Sequence, residues 1–203
     1  MFGLPDSTSV KRQLPKKALY AKFDWKPSQR EAFDADVSRL DIVAVVSPVT
    51  VPALAVGREV REFYVLAVKL KRREYDGRNI ALLTKLIPQR LVMALLWEEQ
   101  TQFAIHHTRL ITSAWQPTAG ATLPLTGLTL DAVWEQMVQS IGQIAVAQGN
   151  TLDEQIAADD LRAKLLARID MLERKMAKEK QPRRKREYYE QIKELKKQIA
   201  WKN

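Results

Sequence analysis

The apolar positions of the first 150 residues predict a sheet built from several strands. The middle of residues 61–71 is apolar on both alternating faces, a pattern typical of a strand covered on both sides, and residues 91–97 form a second strong strand. Residues 41–46 form a shorter apolar run before a proline. A polar turn at residues 98–101 leads into residues 102–111, which we interpret as a strand returning beside the previous one.

Helices are predicted between and after these strands. Asp76 is suited to cap a helix that runs to about Ile87, and Pro88 ends it. Thr129 is suited to cap another. The apolar side of this later helix comprises Leu130, Val133, Trp134, Met137, Val138 and Ile141. The middle of the chain therefore has the order strand–helix–strand–strand, which predicts an α+β fold with a mixed sheet and packed helices.

The pattern is weaker near the beginning of the chain. Residues 1–27 are mostly polar and contain three prolines, with one short apolar piece at residues 18–23 that we interpret as a strand. A helix is predicted to begin at Pro27 and to run to about Leu40, with Phe33 and Val37 on its apolar face.

Beyond residue 150 the apolar residues narrow to a stripe between charged faces, typical of a coiled-coil seam. The stripe comprises Leu161, Leu165, Ile169, Leu172 and Met176, and then Tyr188, Ile192, Leu195 and Ile199. Pro182 is unfavourable inside a helix but suited to its first turn. We therefore predict two domains, an α+β globular domain at 1–149 and a helical hairpin arm at 150–203 that turns near residues 178–184. The alternative is one long helix kinked at Pro182.

Charge adds to this picture because the basic excess is local. The formal net charge is +9, and residues 174–197 alone contain 11 Lys/Arg against 4 Asp/Glu, a net charge of +7. Such a surface attracts polyanions, of which nucleic acid is the commonest. The alternative is that these lysines and arginines are only a solvated helix face.

Two groups of basic residues are candidate nucleic-acid contacts. The first is Arg183, Arg184, Lys185 and Arg186, followed by Tyr188 and Tyr189. The second is Lys71, Arg72 and Arg73, with Lys69 and Arg78 nearby, where a strand end leads into a helix start. Four cations at the first turn of a helix oppose the helix dipole, and a polyanion would relieve that repulsion.

Several kinds of chemistry are disfavoured. The chain has no cysteine, which excludes disulfides and thiolate metal sites, and it has no phosphate-binding glycine loop. His106 and His107 are the two histidines and, as neighbours on a strand, would point to opposite faces. A nuclease motif would need a carboxylate where Ala67 stands. We therefore expect no catalytic residue, no metal and no cofactor. With neither a signal peptide nor a membrane span in the sequence, we expect a cytoplasmic protein.

The chain resembles a bacterial family catalogued as domain of unknown function 4391. The resemblance lies in residues 1–5 (MFGLP), 16–23, 76–88, 128–135 and 172–181, and so spans nearly the whole chain. It implies a genomic setting beside DNA methyltransferases and helicases of restriction-like antiphage systems. It implies no catalytic residues.

The sequence thus favours a non-enzymatic accessory subunit of a DNA-directed antiphage defence system. This subunit would bind a helicase or methyltransferase partner, and DNA through its basic arm. One alternative is an oligomerisation or scaffold module, a homo-oligomer whose arm contacts no nucleic acid. A second alternative is a metal-dependent nuclease with an unrecognised site near Lys69, Arg72 and Glu74.

Overall fold

The computed structural model describes residues 1–200, and the chain divides into two compact units between residues 145 and 146. The first unit is a mixed sheet with packed helices, which confirms the predicted α+β class. Within the described residues, the second unit consists of two helices. In the described chain the strands are β1 (Ser9–Gln13), β2 (Val37–Val46), β3 (Phe63–Leu70), β4 (Arg90–Trp97), β5 (Gln100–His106), β6 (Leu110–Thr112) and β7 (Gln116–Pro117). The helices are α1 (Lys16–Lys22), α2 (Pro27–Asp36), α3 (Gly77–Leu86), α4 (Leu130–Gly142), α5 (Leu152–Lys178) and α6 (Pro182–Ala200).

The sheet has the order β1-β2-β3-β4-β5-β6, and β7 pairs with β5. Neighbouring strands are antiparallel except β3 and β4, which are parallel and joined by α3. A crossover helix is what a parallel pair requires, because a tight turn cannot return the chain to the same end of the sheet. The predicted strand–helix–strand–strand order is therefore β3-α3-β4-β5.

Strand β3 is buried on both faces in its middle, as its two-sided apolar pattern predicted. Residues 65–68 are each at most 4% exposed. Its even-numbered side chains share one core with Ile80 and Leu83 of α3. On the opposite face, Phe63 contacts Trp134 of α4, with ring centroids 5.9 Å apart. Helices thus cover both faces of this strand.

Both predicted helix caps are confirmed. The Asp76 carboxylate accepts the backbone N–H of Arg78 at 2.9 Å, and the Thr129 hydroxyl accepts that of Ala132 at 3.2 Å. These bonds satisfy N–H groups that have no partner inside the helix. All six apolar positions predicted for α4 are buried.

Asp131, in the first turn of α4, holds a distant loop. Its carboxylate accepts the backbone N–H groups of Arg58 at 2.7 Å, Glu59 at 3.2 Å and Val60 at 2.8 Å. Burial alone would raise the pKa of this carboxyl, but the bonds from Val60, Arg58 and Glu59 outweigh burial and hold the pKa below its usual value. The ionised carboxylate therefore stabilises the loop.

Replacing Asp131 by alanine is expected to lower the free energy of unfolding by about 1–2 kcal/mol. Because the folded-state pKa is depressed, this difference is present above about pH 4 and disappears as the pH falls through the folded pKa. Hydrogen exchange at residues 58–60 should accelerate in the variant at neutral pH. The exposed Asp24, changed to alanine, is the control. Unchanged exchange at 58–60 would show that the carboxylate does not hold the loop.

Two predictions near the beginning of the chain are wrong. Residues 18–23, interpreted as a strand, lie mostly in helix α1, where alanine, leucine and lysine favour the helix and Leu19 is buried. The helix predicted for residues 27–40 ends at Asp36. Val37 and Leu40 instead begin β2, where both are buried and Leu40 pairs with Val68.

The strand predicted at residues 102–111 is two strands. β5 ends at His106, and β6 begins at Leu110 after a turn in which the His107 N–H donates to the Arg109 carbonyl at 3.0 Å. His107 therefore lies in a turn and not on a strand. The polar edge strand β1 was not predicted, because its solvent-exposed sequence has no apolar alternation.

The second unit is the predicted antiparallel hairpin and not a single kinked helix. Pro182 is the first residue of α6, where its missing N–H costs no helical hydrogen bond. Ile169 and Leu172 of α5 pack against Ile192 of α6. The flanking partly buried residues of this core are Met176, Tyr188, Leu195 and Ile199. Leu161, at the far end of the predicted stripe, is 38% exposed.

Candidate nucleic-acid interface

The predicted basic residues of the arm lie together at the turn of the hairpin. We call residues 178–187 the tip. Arg183 to Arg186 occupy the first turn of α6, and all four are exposed. The Arg183 side chain is 93% exposed. The hairpin places these cations side by side at one end, because α6 begins within a few residues of the end of α5.

The ion pairs within the tip are weak. Arg183 lies 3.4 Å from Glu187, and Arg184 lies 3.8 Å from Glu179. Lys185 and Arg186 form no ion pair with any described residue. An exposed pair such as Arg183–Glu187 contributes about 0–1 kcal/mol. The Arg184–Glu179 contact is longer, although Glu179 is only 18% exposed, so both arginines remain available for an anion.

Glu179 explains how the start of α6 tolerates four cations. Its carboxylate accepts the backbone N–H groups of Gln181 at 3.0 Å and Lys180 at 2.8 Å. The bonds from Gln181 and Lys180 hold the pKa of the Glu179 carboxyl below its usual value. A negative charge beside the helix N-terminus favours the dipole and reduces the repulsion that the sequence predicted there.

The two tyrosines that follow the tip have different surroundings. Tyr188 is partly buried and packs against the hairpin core. Tyr189 is 55% exposed. Only the second is accessible enough to stack on a base without opening the hairpin.

The second predicted basic group, Lys71, Arg72 and Arg73, does not form one cluster, because Arg72 is bound to a buried carboxylate. Asp36, at the end of α2, has a fully buried side chain. It accepts bonds from Arg72 Nε at 2.8 Å, from the Asp76 backbone N–H at 2.9 Å and from Asn79 Nδ2 at 2.7 Å. Arg72 thus has a structural partner on the α2 side of the sheet.

The surroundings of Asp36 keep it ionised. Burial alone would raise the pKa of its carboxyl. The bonds from Asp76, Asn79 and Arg72 outweigh burial and hold the pKa below its usual value. Sequence reasoning missed Asp36, because nothing in the pattern distinguishes this aspartate from an exposed one at a helix end.

The other cations of the second group are also separated by their contacts. Arg78 forms an ion pair with Asp76, in which Nη2 lies 2.7 Å from Oδ2. The Arg78 side chain is 91% exposed. Arg73 lies over two indole rings, those of Trp97 and Trp115. Lys69 and Lys71 are exposed and form no ion pair with a described residue. Lys71 is exposed and its charge helps to lower the pKa of the Asp34 carboxyl, so the three predicted residues Lys71, Arg72 and Arg73 each have different surroundings.

Within residues 1–200, no three His, Asp or Glu side chains are grouped so that they could hold a metal ion. In the same part of the chain, no helix is long and apolar enough to cross a membrane.

Comparison with known proteins identifies one family. A family model described as "Domain of unknown function (DUF4391)" matches residues 2–199, which confirms the resemblance seen in the sequence. No curated protein and no solved structure matches the chain.

Proposed function

We propose that this chain, which belongs to the family described as domain of unknown function (DUF4391), is a non-enzymatic accessory subunit that binds DNA through the tip of its hairpin. The observation that supports this most is the separation of apolar and basic residues in the second unit. Ile169, Leu172 and Ile192 bury the seam inside the hairpin, while Lys185 and Arg186 remain exposed and without ion-pair partners among the described residues.

This separation favours DNA over self-association as the ligand of the arm. A coiled-coil arm that joins two chains needs an open apolar seam. Here the two helices of one chain cover the part of the seam that runs from Ile169 to Met176 on α5 and from Tyr188 to Ile199 on α6, while Leu161 stays 38% exposed. What the hairpin presents instead is positive charge, which neutralises phosphates and releases their counterions.

The proposal places the protein in a bacterial antiphage defence complex with a DNA helicase or methyltransferase. The family resemblance supports this setting, and a small basic subunit without a catalytic step of its own suits it. In such a complex the tip would hold the DNA on which the partner acts.

A gel-shift titration of the full-length protein against duplex DNA at several salt concentrations tests the DNA contact. We expect binding at low salt that weakens as salt rises, with log K falling by about 0.9 per log unit of salt for each phosphate neutralised. Binding that does not change with salt would contradict the proposal, and so would the absence of binding at low salt.

Co-purification from the native operon tests the partner. We expect a helicase or methyltransferase encoded beside this gene to come down with the protein and to stay bound after nuclease treatment. A complex that dissociates when its DNA is digested would contradict a direct contact between the two proteins.

A further inference from the structure

Arg73, Trp97 and Trp115 form a group on the first unit that the proposed function does not use. The Arg73 guanidinium carbon lies 5.9 Å from the ring centroid of Trp97 and 5.9 Å from that of Trp115. Both distances fall within the range in which a cation is attracted to an aromatic face. Both indoles are only partly buried, and Arg73 is exposed. We call these three residues the aromatic–arginine platform.

The fold brings the platform together at one end of the parallel strand pair. Trp97 is the last residue of β4, and Arg73 follows the end of β3 by three residues. Trp115 directly precedes β7, which pairs with β5 beside β4. The platform therefore lies beyond the carboxyl ends of β3 and β4.

Hydrogen bonds fix the neighbourhood of the platform. The Tyr75 hydroxyl donates to Gln102 Oε1 at 2.7 Å, and Gln102 Nε2 donates to the Ser113 carbonyl at 2.7 Å. Burial raises the pKa of Tyr75 to about 12. The loop that carries Arg73 and the segment that carries Trp115 are therefore tied to the same strand, β5.

The cations around the platform suit a phosphate backbone. Lys71 lies two residues from Arg73, just beyond the end of β3. Lys71 is exposed and forms no ion pair with a described residue, although its charge helps to hold the pKa of the Asp34 carboxyl below its usual value. Aromatic faces beside unpaired cations are the combination by which proteins hold single strands, with bases on the rings and phosphates on the cations.

We propose that the platform binds single-stranded nucleic acid: a base replaces the Arg73 guanidinium over Trp97 and Trp115, and the displaced Arg73 contacts phosphate together with Lys71. A single strand is required because the base faces of a duplex are already covered by their neighbours. This surface and the tip belong to different units of the chain. The platform shares only its ligand class with the proposed function and does not depend on it.

The test uses the full-length protein and a thymidine oligonucleotide of about 12 nucleotides, within the usual site size. Affinity is measured by anisotropy of the labelled strand and by quenching of tryptophan fluorescence. A matched strand of abasic sites has the same phosphates and no bases, and a uridine strand compares RNA with DNA.

We expect the thymidine strand to bind and quench, and the abasic strand to bind at least about 5-fold more weakly. Trp97→Leu and Trp115→Leu should each weaken binding of the thymidine strand by roughly 5- to 150-fold, the range that corresponds to loss of one stacked base. Trp115→Phe, which keeps a ring, should retain most of the affinity. Arg73→Gln should weaken binding, while Arg30→Gln, which removes an arginine from over the Tyr20 ring, should not.

Circular dichroism and thermal melting identify any variant that is unfolded. If a leucine variant is unfolded, the affinities of Trp115→Phe and Arg73→Gln for the thymidine strand test the proposal instead. Equal affinity for the abasic and thymidine strands would overturn the proposal. Unchanged affinity of a folded Trp115→Leu protein would do so as well. Loss of the platform leaves duplex binding by the tip intact, and loss of the tip leaves base-dependent quenching intact, so the two proposals fail separately.

Discussion

Replacing Asp36 by alanine is expected to lower the free energy of unfolding of the protein by about 3 kcal/mol. The carboxylate is fully buried and accepts bonds from three groups on two other elements. Its removal leaves the Asn79 amide, in a residue that is 7% exposed, without one of its acceptors, and the Asp76 N–H without its own. Each buried donor left unpaired costs about 1–3 kcal/mol.

The pH dependence of stability gives a second readout of the same carboxylate. Its pKa is lower in the folded protein than in the unfolded chain, so the stabilisation is fully present above the unfolded value of about 3.9. It is lost as the pH falls through the folded pKa. Urea unfolding from pH 7 downwards should therefore show a decline in wild type below about pH 4 that is smaller in Asp36→Asn.

Asp41→Ala is the matched control for Asp36→Ala. Asp41 lies on β2, the strand that directly follows α2. Its carboxylate forms an ion pair with Arg39, whose side chain is 55% exposed. We expect this change to cost less than about 1 kcal/mol, as for other surface ion pairs. Equal losses in the two alanine variants would mean that the buried network does not have the stabilising role described for it.

Changing Arg183, Arg184, Lys185 and Arg186 together to glutamine is expected to weaken duplex DNA binding by about 10²- to 10³-fold near 0.1 M salt. The slope of log K against log salt should also become shallower by about 3–4, because up to four phosphate contacts are lost. Anisotropy titrations at several salt concentrations measure both quantities.

The fourfold variant is not expected to unfold the hairpin. All four side chains are exposed, and the two ion pairs that they form, with Glu187 and Glu179, are long, at 3.4 Å and 3.8 Å. The Glu179 bonds to Lys180 and Gln181 remain, and fewer cations then oppose the dipole of α6. Thermal unfolding followed by circular dichroism should show a transition close to that of wild type. A variant that stays folded and binds as tightly as wild type would rule out the tip as the contact.

The central strands, the helices α3 and α4 and the hairpin could be predicted because their signals are local. Residues 65–68 are apolar on both faces, and Asp76 and Thr129 are side chains that cap helices by themselves. Pro182 sets the position of the turn because a proline fits the first turn of a helix and not its middle. Each of these features depends on residues within a few positions of one another.

The elements near the beginning of the chain were predicted wrongly because residues distant in the sequence determine their local structure. Val37 leaves the helix because pairing with Leu70 on β3 and burial favour the extended chain. Strand β1 is polar because it is an edge strand and little of it faces the core.

The candidate sites show the same division. The tip was predictable because its four cations are consecutive in the sequence. The roles of Arg72 and Arg73 were not predictable. Arg72 binds an aspartate 36 residues earlier, and Arg73 lies over tryptophans from two later parts of the chain. For both arginines the contact partner is determined by the tertiary structure and not by the spacing of residues along the sequence.

If DNA binds at the tip, its affinity depends on where the cations lie and not only on the net positive charge of the protein. Two matched double variants separate these possibilities. Lys185→Gln/Arg186→Gln removes two exposed cations at the tip, and Lys193→Gln/Lys197→Gln removes two exposed cations further along the same helix. Both pairs lower the net charge by two. Measured against the same duplex at the same salt, the tip pair is expected to weaken binding at least about tenfold. The distal pair is expected to leave it within about twofold. Equal weakening by the two pairs would contradict the account.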